Sequence, residues 1–166
     1  MIVSYRSADL LRTCLTSLRR HGEGLSVHVI DNASRDGTAE LIAAEFPEVH
    51  LTVNAENRGF AVASNQGICA GAAPWVLVLN PDAAIREGTL STLLAALEAD
   101  PRAAAAGPKL VRADGELDHA AKRSFPTVAG ALAYSPGSTG RSRPPASTPR
   151  PRSTRGRWTR STARSC

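Results

Sequence analysis

Short apolar runs alternate with amphipathic helical patterns along most of this chain, and that alternation constrains its fold more than any other feature. The predicted strands are residues 2–5, 25–30, 49–53 and 75–79. The predicted helices are residues 7–21, 38–46, 60–70 and 89–99. Strands that alternate with helices form crossover units, in which helices cover both faces of a mainly parallel sheet. The sequence therefore predicts an α/β fold of this kind.

Three finer expectations accompany this fold class. The apolar runs 27–30 and 76–79 are typical of strands that are buried on both faces of a parallel sheet. Four alanines at 103–106 predict a weak strand. Asp114-Gly115 favours a hairpin turn within residues 110–117.

Charge divides the chain near residue 135. The 20 Lys and Arg exceed the 15 Asp and Glu, which gives a net charge of +5. Residues 135–166 contain eight Arg and no acidic residue, which leaves 12 basic and 15 acidic residues in 1–134. We predict a globular domain over 1–134. Residues 135–166, rich in Arg, Ser, Thr and Pro, are predicted to be a disordered tail, because they bury too little apolar surface to offset their ordering entropy.

Several classes of protein are disfavoured by the same sequence. No apolar run reaches the roughly 18 residues of a transmembrane helix, and the first residues lack the basic and apolar regions of a signal peptide. The cysteines show no metal-ligand spacing. Eight arginines without acids favour non-specific polyanion binding by the tail over specific nucleic-acid recognition. We therefore expect a cytoplasmic protein without a membrane span.

Three polar loops, residues 31–37, 54–59 and 80–88, follow predicted strands. In open α/β sheets, ligands bind at the carboxyl ends of the strands. Asp31 directly follows an apolar strand, where its carboxylate can accept hydrogen bonds from a nucleobase or a ribose. Asn57 and Arg58 precede a predicted helix, whose N-terminus can hold a phosphate. Each loop taken alone also fits an ordinary turn or helix cap.

The third loop begins with Asn80-Pro81-Asp82, directly after an apolar run. Mg²⁺ binds through few protein carboxylates together with phosphate oxygens of a substrate. A single Asp82 at a strand end is therefore enough to fix a metal ion that bridges a diphosphate. The alternative is that Asp82 caps the turn that follows.

In this order, the motifs resemble those of glycosyltransferase family 2, which has the GT-A (Rossmann-like) fold, and above all its bacterial rhamnosyltransferase-like members. The resemblance extends from about residue 2 to about residue 130. The matching stretches are residues 3–5 with 7–11, 29–34 with 36–38, 57–61 with 65–68, 79–82, and 107–110 with 114–115.

This resemblance implies that residues 1–134 form a domain that binds a nucleotide-diphospho-sugar donor with Mg²⁺ or Mn²⁺. It implies that Asp82 is the metal ligand and that Asp31 binds the nucleobase. The full set of nucleotide-sugar-binding residues that it implies is Ser4, Tyr5, Asp31, Asn32, Asn57, Arg58, Asn65, Asn80 and Asp82.

The resemblance further implies inverting hexosyl transfer to a saccharide or lipid-linked acceptor during surface polysaccharide synthesis, in the cytoplasm or peripherally at the inner membrane face. Two departures matter. Arg6 stands where Asn is usual, and the family pattern stops before Tyr134. We therefore expect a sheet that is incomplete at its C-terminal side, with the acidic general base in a missing acceptor-binding half, and a chain that alone is inactive or weakly active. The alternatives are a non-catalytic donor-binding remnant of a frameshifted gene and a polyanion binder that acts through its basic tail.

Overall fold

The computed structural model describes residues 1–112 and 114–118 of the chain. They divide into two compact units, Met1–Pro101 and a second unit that starts at Arg102. The predicted domain boundary at residue 134 and the predicted tail 135–166 lie outside the described residues and stay predictions.

The first unit contains a parallel sheet and the helices that connect its strands. The sheet consists of β1 (Ile2–Ser4), β2 (His28–Asp31) and β3 (His50–Val53), paired in that order. The helices are α1 (Ala8–His21), α2 (Thr38–Glu45), α3 (Phe60–Ala70) and α4 (Thr89–Ala99). The predicted alternation and the parallel pairing are confirmed. None of the helices in the described ranges is long and apolar enough to span a membrane.

One face of the sheet forms the larger core. Ile2 and Val29 alternate with residues that point the other way, so both side chains lie on this face. Apolar side chains of α1 and α2 pack against them because they recur at helical spacing. The buried members contributed from outside the sheet are Leu11, Cys14, Leu15, Leu18, Leu41, Ile42, Phe46 and Ile85.

The opposite face is covered by α3. Val3 and Ile30 pack there against Ala63. The approach is close because α3 carries glycine at position 67, where an added Cβ would lie 2.8 Å from Cε of Met1 and 3.3 Å from the Ile30 side chain. Helices on both faces of the sheet, as predicted, are therefore confirmed.

Two neighbouring leucines on α1 allow a direct test of this core. Leu11 is completely buried, whereas Leu10 is 53% exposed. We expect Leu11→Ala to lower the free energy of unfolding by about 2–5 kcal/mol, because it removes buried methyl groups and leaves a cavity. The matched change Leu10→Ala should alter it by no more than about 0.5 kcal/mol. Urea unfolding followed by circular dichroism measures both, and equal losses would contradict the arrangement of α1.

The predicted strand at residues 75–79 is wrong. Among the described residues, the one β-bridge that this segment forms is an isolated parallel bridge between Leu79 and Ile2, and Trp75 and Val78 are 43% and 48% exposed. The physical reason is non-local, since an apolar run becomes a buried strand only where neighbouring strands flank it. Among the described residues, segment 75–79 finds backbone hydrogen-bond partners at Met1, beside β1. The amino group of Met1 donates to the Leu77 carbonyl at 2.7 Å, and the Met1 carbonyl accepts the Leu79 N–H at 3.1 Å.

In the second unit, residues 103–106 form no strand, so that prediction is also wrong. Alanine has a low β propensity, and these side chains offer little surface to pack. The hairpin is confirmed in short form by one antiparallel bridge between Val111 and Leu117. Gly115, at φ 87°, forms the turn, and its N–H donates to the Arg112 carbonyl at 3.0 Å.

Candidate functional site

The carboxyl ends of the three strands are joined by backbone hydrogen bonds. The N–H of Asn32 donates to the Ser4 carbonyl at 2.8 Å, and the N–H of Asn54 donates to the Asp31 carbonyl at 2.8 Å. Because the strands are parallel, the residues that follow them lie along the same edge of the sheet. The structure thus brings together the loops 31–37 and 54–59, which the sequence singled out.

Asp31 ends β2 and is only 4% exposed. Its Oδ1 accepts hydrogen bonds from both the N–H, at 3.2 Å, and the hydroxyl of Ser34. The Ser34 hydroxyl in turn accepts the N–H of Arg6 at 3.0 Å, which ties the loop after β1 to the loop after β2. Among the described residues, none donates to Oδ2 of Asp31. The carboxylate is therefore held rigidly, with one oxygen available for a ligand.

Backbone strain surrounds this carboxylate. Arg6, Ala33 and Arg35 have φ values of 53°, 64° and 54°. The left-handed region costs a non-glycine residue roughly 1–2 kcal/mol. Asn, the usual residue at position 6 in the family that the sequence resembles, adopts this region more readily than Arg does. Arg6 is therefore less suited to this backbone conformation than Asn would be. Residues in such conformations cluster at functional sites, where the surrounding structure enforces them.

Asp36 caps two helices at once, a role that the sequence reveals only in part. Its carboxylate accepts the Ala8 N–H at the start of α1, at 3.2 Å. It also accepts the N–H and the hydroxyl of Thr38 at the start of α2, at 3.2 and 2.6 Å. Burial alone would raise the pKa of Asp36, but the hydrogen bonds from Thr38 and Ala8 outweigh burial and lower the pKa. The sequence Asp36-Gly37-Thr38 predicts the start of α2. The hydrogen bond from Ala8 of α1 to Asp36 could not be predicted, because the two residues are 28 positions apart in the sequence.

A network of side-chain amides links the ends of β2 and β3, centred on Asn32, which is 2% exposed. Its Oδ1 accepts from the Asn54 side-chain amide at 3.1 Å and from the backbone N–H of Arg58 at 3.0 Å. Its Nδ2 donates to Oδ1 of Asn57 at 2.7 Å. Asn54 also exchanges a reciprocal pair of hydrogen bonds with the Gln66 amide of α3, at 3.0 and 3.1 Å. The network fixes the loop 54–59 to the sheet.

The other predicted ligand-binding residues near this edge differ in exposure. Ser4 is completely buried, and its hydroxyl lies 3.0 Å from that of Ser7. Tyr5 is 44% exposed, and the Arg6 guanidinium lies 5.2 Å from its ring centroid. Arg58 and Asn65 are exposed. Within residues 1–112 and 114–118, the Arg58 guanidinium has no hydrogen-bond or ion-pair partner, so it is available to an anionic ligand.

The loop that carries Asn80 and Asp82 is positioned by α1 rather than by the end of a strand. The Cys14 thiol lies 3.7 Å from the Asn80 carbonyl, and the Ser17 hydroxyl accepts the Ile85 N–H at 3.1 Å. Ile85 is 6% exposed and anchors the loop in the core. Asn80 and Asp82 themselves are exposed.

Asp82 lies close enough to α1 to influence a buried group there. Burial, and next the charge of Asp82, raise the pKa of the Cys14 thiol to about 11. No described residue forms an ion pair with the Asp82 carboxylate. Within the described ranges, His, Cys, Asp and Glu form no group of three that could hold a metal ion.

A cavity of about 500 Å³ lies in the first unit, away from this edge. It is lined by the amino-terminal ends of the strands, at Ile2, His28 and His50, and by Trp75 and neighbouring apolar residues. None of the predicted site residues lines it. Its walls are mostly apolar, so the candidate site remains the carboxyl edge of the sheet.

Comparison with known proteins adds an independent line of evidence. The chain matches the family model described as "Glycosyl transferase family 2" over residues 1–157. It is 32% identical over 142 residues to an N-acetylglucosaminyl-diphospho-decaprenol L-rhamnosyltransferase of Mycobacterium tuberculosis, covering 78% of this chain and 46% of that protein. It is 34% identical over 112 residues to the succinoglycan biosynthesis protein ExoO of Rhizobium meliloti, covering 66% and 30%. The chain thus spans less than half the length of these curated relatives.

Solved structures agree on the fold. A mannosyltransferase from Pyrobaculum calidifontis, in complex with GDP-Man and Mn²⁺, superimposes with a TM-score of 0.54 at 29% identity, over 61% of this chain and 32% of that one. TarS of S. aureus superimposes with a TM-score of 0.53 at 20% identity, over 59% and 19%. At that identity, the likeness to TarS shows the fold alone.

Proposed function

The chain belongs to glycosyltransferase family 2, and from this premise we propose that it binds a nucleotide-diphospho-sugar donor and a divalent metal ion at the carboxyl edge of its sheet. The observation that carries the proposal is the Asp31 carboxylate, which is buried, fixed through Oδ1 by Ser34, and free at Oδ2 among the described residues. A fixed acceptor with one available oxygen suits recognition of a base N–H. The exposed guanidinium of Arg58, which follows β3, supplies a cation for the diphosphate.

Each predicted site residue has a proposed place in this donor site. Asp31 accepts from the nucleobase, and Tyr5 and Ser4 support the base end of the pocket from β1. Arg58 and Asn65 face the ribose and diphosphate near the N-terminus of α3, where free backbone N–H groups favour anions. The remaining proposed members are Asn57, Asn80 and Asp82, together with Asn32, whose buried side chain supports the site without contacting the ligand.

Asp82 is the proposed protein ligand of the metal ion, Mg²⁺ or Mn²⁺. Its exposed carboxylate has no ion-pair partner among the described residues, and hard oxygen donors suit either cation. Mg²⁺ uses few protein ligands where substrate phosphate oxygens supply others, so one carboxylate is enough here. The mannosyltransferase solved with GDP-Man and Mn²⁺, at 29% identity, supports a divalent metal ion in the donor site. When bound, the metal ion neutralises the charge that develops on the departing nucleoside diphosphate.

The proposed reaction is inverting transfer of a hexose. An acceptor hydroxyl, deprotonated by a carboxylate, attacks the anomeric carbon while the nucleoside diphosphate leaves from the opposite side. The relatives named above support a saccharide or lipid-linked acceptor and a place in polysaccharide synthesis. We propose that the general base belongs to the part of the relatives that this chain does not span. A chain of this extent would then bind the donor without efficient transfer.

Calorimetric titration with UDP, GDP, ADP, CDP and dTDP in the presence of MnCl₂ tests donor binding. We expect one base to be preferred. Asp31→Asn should reduce affinity for that nucleotide about tenfold or more and should narrow the preference among bases, because the change converts an accepting oxygen into a donating amide. Asp9→Asn alters a carboxylate that is 96% exposed on α1 and serves as the matched control.

Two outcomes would contradict the proposal. The first is that no nucleoside diphosphate binds the unaltered protein at millimolar concentration. The second is that Asp31→Asn leaves the preference among bases unchanged. Thermal melting of each variant separates a change of affinity from a loss of folded protein.

A further inference from the structure

We propose that Asn32 is a positioning residue, which holds Arg58 at the phosphate end of the donor site through a hydrogen bond to the Arg58 backbone. The inference rests on the proposed donor binding and assigns Asn32 a role in it. In this proposal Asn32 contacts the loop 54–59, whereas Arg58 contacts the ligand.

Burial and hydrogen bonding favour a positioning role for the Asn32 side chain over direct recognition. The residue is 2% exposed, and both polar atoms of its amide are bonded within the protein. Oδ1 already accepts two hydrogen bonds, which fills its two lone pairs, and Nδ2 donates one of its two N–H groups to Asn57. We therefore assign the influence of this amide on a ligand to the residues that it holds.

The amide is itself immobilised from both sides. The backbone N–H of Asn32 donates to the Ser4 carbonyl of β1 at 2.8 Å. Asn54, which donates to Oδ1 of Asn32, is fixed by its reciprocal pair with Gln66 and by its backbone bond to Asp31. Asn32 is thus a rigid anchor on the sheet, suited to transmit that rigidity to the neighbouring loop.

The loop depends on this anchor at two adjacent residues. Asn32 accepts the N–H of Arg58 at 3.0 Å and donates to Oδ1 of Asn57 at 2.7 Å. Oδ1 of Asn57 also accepts the N–H of Gly59 at 2.9 Å, so the turn is closed on the same atom. Residues 55–59 are otherwise exposed. Without Asn32, Arg58 would keep its charge but its backbone would lose the bond that fixes it, and ligand binding would bear the entropy cost of ordering the loop.

A double-mutant cycle between Asn32→Ala and Arg58→Ala tests the inference, because residues that act through one another are non-additive. The probes are the nucleoside diphosphate that binds the unaltered protein best, with MnCl₂, and the corresponding nucleoside. We expect Asn32→Ala to weaken diphosphate binding about tenfold in the unaltered background but less than about twofold beside Arg58→Ala. Asn32→Ala should change nucleoside affinity less than about twofold. A general loss of structure would instead weaken the binding of nucleoside and diphosphate alike.

Gln66→Ala is a graded comparison, since it loosens Asn54 but leaves the bond between Asn32 and the Arg58 N–H in place. It should weaken diphosphate binding less than Asn32→Ala does. Asn32→Ser, which shortens the side chain but keeps a polar group at this buried position, replaces Asn32→Ala in the cycle if that variant does not fold.

The outcomes separate this inference from the proposed function. Equal losses in both backgrounds, or equal losses for nucleoside and diphosphate, would overturn the positioning role while leaving donor binding intact. If the unaltered protein binds no nucleoside diphosphate, both proposals fall.

Discussion

Asp82→Ala is expected to abolish the metal dependence of nucleoside diphosphate binding. In MnCl₂ the variant should bind about 100-fold more weakly than the unaltered protein, equivalent to about 2.7 kcal/mol. The reason is that Asp82 is the proposed carboxylate through which the protein holds a metal ion on the diphosphate. In EDTA the two proteins should bind the nucleotide equally weakly, because the metal bridge is absent from both.

Titration calorimetry in MnCl₂ and in EDTA measures the effect, and the electron paramagnetic resonance of Mn²⁺ reports metal binding independently. Glu87→Ala is the matched control, because it removes an exposed carboxylate from the same loop 80–88. It should change affinity by less than about twofold, as expected for an exposed charge without a role in the site. Metal-dependent binding that survives Asp82→Ala would move the metal site elsewhere.

A protein made of these 166 residues is expected to transfer sugar at least 10²–10⁴-fold more slowly than its full-length mycobacterial relative, roughly the contribution of a placed general base. Acceptor positioning adds further orders of magnitude. After residue 100 the acidic residues of the sequence are Asp114, Glu116 and Asp118. Asp114 accepts the Glu116 N–H at 2.9 Å within the hairpin turn, and Asp114 and Glu116 are exposed. This short turn lacks the enclosed setting that orients a base toward an acceptor hydroxyl.

The assay supplies candidate nucleotide-sugars and a lipid-linked acceptor to the purified protein and to the mycobacterial relative in parallel. Donor hydrolysis is followed in the same samples, since slow attack by water needs no acceptor site. Transfer at a rate comparable with that of the relative would assign the base to one of the three carboxylates or to a partner chain.

The regular elements were largely predictable because their signals are local. The helix predicted at residues 60–70 matches α3, and the one predicted at 89–99 matches α4, since glycine precedes each helix and apolar spacing runs through it. The segment 75–79 shows the limit of this reasoning. Its composition is that of a buried strand, but burial depends on which strands flank it, and that is a property of the assembled sheet.

The candidate site divides in the same way. The rule for parallel sheets predicted that the loops after β2 and β3 meet, and the backbone bonds between the strand ends agree with it. The side-chain hydrogen bonds that these loops form with each other and with α3 could not be predicted. Asn32, Asn54 and Gln66 are all polar residues suited to turns or helix surfaces. Their pairing depends on distances between segments 12 to 22 residues apart, which no local pattern encodes.

The half-paired segment 75–79 has a consequence for handling the protein. It presents Trp75, Val76 and Val78 to solvent beside backbone groups that the rest of the described chain leaves largely unpaired. A strand of another molecule can pair with such an edge, which promotes aggregation at high concentration. A charged residue introduced here would oppose that pairing without altering the loops 31–37 and 54–59.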